Sequence, residues 1–193
     1  MEPVAEIPYP GEREAAPGRL RLVQQFANTV DTEHGREMLS DEASLRAVLT
    51  RLGLLAPDAP VGDDDLARAH AVRGALRSLA LANNGGPDDP GARATLETAA
   101  AAGRLTVRLE HGETWLEGLE PGVAGALATL AGIVHTAIAD GTWLRLKACQ
   151  RDVCRWLFYD RSRNRSARWC QMAVCGNRTK TRAYRSRRRP AAT

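Results

Sequence analysis

The four cysteines of this 193-residue chain, Cys149, Cys154, Cys170 and Cys175, form two C-x4-C pairs separated by fifteen residues. Four thiolates around one cation are the donor set of a structural zinc ion, and such a site keeps no open position for hydrolysis. Cysteines five apart on an ideal α-helix lie about 140° apart around its axis, so each pair needs a turn between its members. Gly176, directly after Cys175, gives room where the chain passes the metal. Two disulfides, an iron–sulfur cluster or four ordinary buried thiols would use the same residues. Disulfides need an oxidising compartment, which nothing here suggests. Matched pairs confined to 27 positions speak against unconnected thiols.

Charge marks the same segment. Residues 141–193 carry 15 Lys/Arg against only Asp152 and Asp160, a net of +13, while residues 1–140 carry −9. The basic part is dense enough to meet a polyanion. Arg161, Arg163, Arg165 and Arg168, with Asn164, occupy the stretch between the cysteine pairs. A helix starting near Asn177 would align Arg178, Arg182, Arg185 and Arg189 in one stripe beside Lys180, which suits phosphates. Some of these arginines are expected to pair with carboxylates of the acidic part, and Arg155 and Arg161 with Asp152 or Asp160. Trp156, Phe158, Tyr159 and Trp169 could stack on bases, but a miniature core around the metal is the simpler use. No Ser/His/Asp set, phosphate-cradling glycine loop or catalytic carboxylate pair stands out, so an enzyme is not expected.

The elements that must hold these residues follow from periodicity. Residues 1–18 contain four of the ten prolines and read as an N-terminal arm. Apolar spacing predicts helices over 19–30, from a cap at Ser40 or Asp41 to Gly53, from Asp63 to the Asn83–Pro87 break, and from about Pro90 to Ala102. Residues 104–117 alternate around His111-Gly112, a β-hairpin signal. Pro121 opens a further buried helix through Ile138. Short strands over 143–147 and 156–160 then frame the first cysteine pair. The expected fold is α+β and mainly helical: a domain over 19–140 with one hairpin, a finger over 141–189 ending in a basic helix, and a tail over 190–193. No signal peptide or membrane span is evident, which points to the cytoplasm.

The stretch from Cys149 to Arg178, with Cys154-Arg155-Trp156-Leu157-Phe158-Tyr159-Asp160-Arg161-Ser162-Arg163-Asn164 and Trp169-Cys170, closely resembles the CGNR zinc finger family, named for the tetrapeptide standing here at Cys175 to Arg178. Lys180, Tyr184 and Arg185 resemble the family's basic helix. The resemblance covers residues 141–189 and implies one structural Zn2+ on the four cysteines, with DNA as the partner. The preceding residues resemble the ABATE domain, for which stress-induced transcriptional regulation is proposed, on Phe26-Ala27-Asn28-Thr29 and the helix–hairpin–helix order. The expected function is a zinc-dependent DNA-binding regulator. The alternative is a zinc-stabilised RNA-binding module, or one holding an acidic protein, with Asn28 and Thr29 lining a small-molecule pocket in a sensing N-terminal domain. Homodimerisation stays open.

Overall fold

The computed structural model describes residues 15–179. Among them the apolar periodicities yield five α-helices: α1 (Leu20–Ala27), α2 (Glu42–Arg51), α3 (Asp63–Ala82), α4 (Pro90–Ala102) and α5 (Val123–Ala139). Local chemistry starts α2, α3 and α4. The Asp41 carboxylate accepts the Ser44 N–H at 2.7 Å while Ser44 Oγ accepts the Asp41 N–H at 3.0 Å, a reciprocal cap for α2. Asp89 accepts the Ala92 N–H at 2.9 Å and Pro90 occupies the first turn of α4. Asp63, Asp64 and Asp65 sit at the positive end of α3.

Three two-stranded antiparallel sheets complete the described part: β1 (Val30–Asp31) with β2 (Arg36–Glu37), β3 (Leu105–Glu110) with β4 (Glu113–Gly118), and β5 (Leu146–Ala148) with β6 (Leu157–Tyr159). The fold is mainly helical α+β, as expected. The β3–β4 pairing is the predicted hairpin, turning at His111 and Gly112. The β1–β2 bridge is not predicted. Asp31 Oδ1 accepts the N–H groups of Glu33 and His34 at 3.2 and 3.1 Å, a side-chain turn that reverses the chain just after α1. Pro121 precedes the cap of α5 rather than opening it. Trp143–Arg145 form one 3-10 turn, so the strand begins only at Leu146.

The hairpin lies directly on α5. A Cβ on Gly125 would stand 2.0 Å from the Glu120 carbonyl oxygen, and one on Gly118 would stand 2.2 Å from that of Gly125. This contact explains the Ala/Gly bias of the helix. No helix among the described residues is long and apolar enough to cross a membrane.

The finger strands share the main core. Leu146, Ala148, Leu157 and Tyr159 pack in one cluster with Val23, Phe26, Leu76 and Leu130. Side-chain amides then take up the strands' polar backbone. Asn28 Oδ1 accepts the Leu157 N–H at 2.8 Å and its Nδ2 donates to the Leu157 carbonyl at 2.9 Å. Asn83 donates to the Leu146 carbonyl at 2.9 Å and Asn84 to that of Ala148 at 2.7 Å. Buried backbone groups left unpaired cost about 1–3 kcal/mol each. Asn28→Ala should therefore lower unfolding stability by about 1–3 kcal/mol in urea titrations, with the Leu157 amide losing hydrogen-exchange protection more than its neighbours.

Candidate metal centre

Two different turns bring the cysteine pairs together. Cys149 extends β5, its N–H donating to the Trp156 carbonyl at 2.9 Å, and the chain reverses through Arg151, whose carbonyl accepts from Cys154 and Arg155. Arg155 adopts a positive φ of 50° in this turn. The second pair uses a π-helical turn, Met172–Gly176, in which the Gln171 carbonyl accepts both the Cys175 N–H at 3.0 Å and the Gly176 N–H at 3.2 Å. The wider turn overcomes the 140° separation that an α-helix would impose. Gly176 relieves crowding of a different kind from that expected, since a Cβ there would meet Met172 Sδ at 2.4 Å.

The four sulfurs lie within 4.8 Å of one another. Cys154 to Cys170 and Cys170 to Cys175 are each 3.7 Å apart. A disulfide needs about 2.05 Å. Zinc–sulfur bonds of about 2.3 Å place tetrahedral sulfurs about 3.8 Å apart, so the separations fit a zinc ion held by four thiolates. All four cysteines are buried, with Trp156 and Phe158 in the same small cluster. Hydrogen bonds from the Cys154 and Cys170 thiols, aided by backbone N–H groups, pull the Cys149 thiol down to about 2. The same crowding pushes Cys154 up to about 12 and Cys170 higher still. Such a cluster resists a second negative charge unless a cation joins it.

The acidic part of the chain reaches this centre. Thr32 Oγ1 lies 3.0 and 2.9 Å from the Val153 and Cys154 carbonyls. Arg77 donates to the Ala27 carbonyl at 3.0 Å from its place on α3. Glu33 accepts from Arg151 and from Arg178, each at 2.7 Å, and Arg151 lies 3.9 Å from Cys175 Sγ. The Arg151 hydrogen bond holds the Glu33 carboxyl below the usual range against the opposing effect of burial.

The loop between the cysteine pairs is fixed by a buried ion pair that sequence reasoning missed. Lys147 Nζ donates to Asp160 Oδ2 at 2.8 Å and to the Arg165 and Ala167 carbonyls. Asp160 in turn accepts the N–H groups of Ser162 at 2.9 Å and Ala167 at 3.0 Å. Burial works to raise the Asp160 carboxyl, but the Lys147, Ser162 and Ala167 hydrogen bonds outweigh it and hold the group at about 2. Opposite charges thirteen residues apart on two predicted strands were the available signal, and strand register is what makes it legible.

The expected polyanion-binding residues divide. Arg163, Asn164, Arg165 and Arg168 are exposed on this loop, and the three arginine side chains carry no hydrogen bond or ion pair among the described residues. Arg161 donates to the Ala15 carbonyl at 3.2 Å and lies over the Tyr159 ring. Asn177 is exposed, while Arg178 is drawn to Glu33. Lys180, Arg182, Arg185 and Arg189 lie outside the described residues, as does most of the expected basic helix. Arg155 pairs with Asp152 as expected, whereas Asp160 goes to Lys147. Asn28 and Thr29 are buried with their polar atoms engaged: Asn28 clamps Leu157, and Thr29 donates to the Phe26 carbonyl and accepts from Arg73. Their position is that of a joint between segments rather than a pocket wall.

Residues 20–141 match the ABATE family, described as "Putative stress-induced transcription regulator", and residues 145–188 match the CGNR zinc finger. No curated protein matches the chain. Together with the sulfur geometry, the finger match supports a zinc ion at the four cysteines.

The loop anchor generates a test. Removing one member of a buried ion pair costs about 3–5 kcal/mol, so Asp160→Asn should lower the unfolding free energy by that order at pH 7. Because the Asp160 pKa is depressed on folding, its contribution is complete above the ordinary carboxylate range and fades as pH falls from about 4 towards 2. The gap between wild type and variant, read from urea midpoints, should narrow over that window.

Proposed function

The chain belongs to the ABATE family, and from that premise we propose that it is a DNA-binding transcription regulator whose single zinc ion is structural. The ion would be held by Cys149, Cys154, Cys170 and Cys175, and its chemistry is to neutralise four thiolates and tie two turns together. The reading is of a binding protein, not an enzyme. One observation carries it: Arg163, Arg165 and Arg168 project from a loop anchored by Lys147 and Asp160, with no side-chain partner among the described residues. A pinned backbone spares the cost of ordering the loop when its guanidinium groups meet phosphates, and those contacts release condensed counterions.

Arg178 has a second role in this reading. Its side chain is 59% exposed even while paired with Glu33, so the guanidinium can exchange that carboxylate for a phosphate. Among the described residues the acidic part thereby limits the positive surface, and the loop carries the rest of it.

Fluorescence anisotropy of labelled duplex DNA over a salt series tests the proposal. Each phosphate contact contributes a slope of about −0.9 in log K against log salt. Replacing Arg163, Arg165 and Arg168 together with Gln should make the slope shallower by about 2.7. An unchanged slope, or no binding by zinc-loaded protein, would sink the DNA reading. Metal analysis should give one zinc per chain, and chelation should release it with loss of order around residues 149–176. Order retained there after complete zinc removal would refute the structural role.

A further inference from the structure

A cleft of about 440 Å³ opens between the loop that follows α3 and the arginine loop of the finger. Asn84 and Gly85 form one wall; Gln150, Arg165, Ser166 and Arg168 form the other. It is a composite of the two matched segments, and none of the four cysteines lines it. We propose that this cleft is a phosphate-ester site, with Arg165 and Arg168 as the charge-bearing donors and Ser166 Oγ between them.

Electrostatics give the sign of the ligand. No carboxylate lines the cleft among the described residues. Lys147 reaches it, but its charge is matched by buried Asp160 and its ammonium donors are directed at Asp160 and the Arg165 and Ala167 carbonyls. Arg165 and Arg168 therefore supply uncompensated charge, and neither has a side-chain partner among the described residues. An anion with several acceptor oxygens satisfies two guanidinium forks and a hydroxyl, which a single carboxylate does less completely.

The donors are held in place from behind. The Arg165 carbonyl is gripped by Lys147 Nζ. The Arg168 carbonyl accepts the Gln150 N–H at 3.0 Å and Asn84 Nδ2 at 2.9 Å. Gln150 Nε2 donates across the cleft floor to the Asn84 carbonyl at 2.6 Å, which ties the two walls together. Gly85, at a positive φ of 82°, keeps one rim without a side chain. The volume exceeds what a lone phosphate needs and falls in the usual range of small-molecule sites, about 300–1,000 Å³. The chemistry accordingly suits a phosphate carrying an organic group, either a nucleic-acid backbone unit or a free mononucleotide.

The site goes beyond the duplex reading, since it can take a phosphate whether or not a duplex binds. Isothermal titration of the zinc-loaded full chain with a nucleoside monophosphate forms one arm, and duplex DNA the other. Arg165→Gln and Arg168→Gln should each weaken binding about tenfold, the order expected for one charged hydrogen-bonding partner. Ser166→Asp should weaken it further by placing a carboxylate between the donors. Arg163→Gln, on the same loop but outside the cleft, should change mononucleotide affinity less than twofold. Mononucleotide binding with this pattern assigns the cleft to a free ester and stands even if duplex binding fails. Duplex binding alone, weakened more by Arg165→Gln and Arg168→Gln than by Arg163→Gln, assigns it to a backbone phosphate. Equal losses from all three arginine variants, or no dependence on Arg165 and Arg168 in either arm, would overturn the site. Zinc content of every variant, which these exposed substitutions should leave unchanged, separates loss of binding from loss of fold.

Discussion

Three asparagine side chains hold this molecule together across its change of charge. Asn28 follows α1, and Asn83 and Asn84 follow α3, so each stands where a helix has just run out of backbone partners. Their amides pair with Leu157, Leu146 and Ala148, the residues that also carry the finger's apolar contribution to the main core. A two-stranded ribbon is marginal in water when it stands alone. Here its outward polar groups are satisfied by the helical part, and its apolar side chains are buried there as well. The zinc turns hang from a ribbon that the acidic domain has already fixed.

Charge is managed by the same division of labour. The chain keeps its largest positive excess at one end, yet the charges nearest the metal are individually answered: Arg151 by Glu33, Arg155 by Asp152 and Lys147 by Asp160. Among the described residues, Arg163, Arg165 and Arg168 on the loop are left for solvent or a ligand. Burying Lys147 against Asp160 is expensive unless every remaining donor and acceptor is used. The loop supplies them through the Arg165 and Ala167 carbonyls and the Ser162 and Ala167 N–H groups. The ion pair therefore has a geometric role, converting a glycine-free polar stretch into a defined shape.

The cysteine constellation and the helix order were legible because both are written in spacing. The α2 cap at Ser40 or Asp41, which the structure places on Asp41, and the turn at His111-Gly112 stood in plain view for the same reason. What escaped depended on distance along the chain. Asn28 and Thr29 look like the polar end of any helix, and only the return of Leu157 reveals what Asn28 clamps. The expected partner of Asp160 is Arg155 or Arg161, and only strand register sets it beside Lys147 instead. The expected stripe led by Arg178 overlooked Glu33, which belongs to a turn built by Asp31 that periodicity does not register. Fold class came from local pattern, whereas the partnership between segments came from contacts some 60 to 130 residues apart.

Those long separations bear on the order of events during synthesis. The first helix emerges early, but the partners of Gln24 and Asn28 lie 133 and 129 positions downstream. Until that stretch leaves the ribosome, α1 can pack on α3 and α5, but the Asn28 amide and the apolar surface that receives Leu157 stay without their partners. Long loop closures of this kind are paid late and slow the final step. The nascent domain thus waits for its own finger, and any stop codon before β6 would release a chain whose acidic, helical part is missing its last strand.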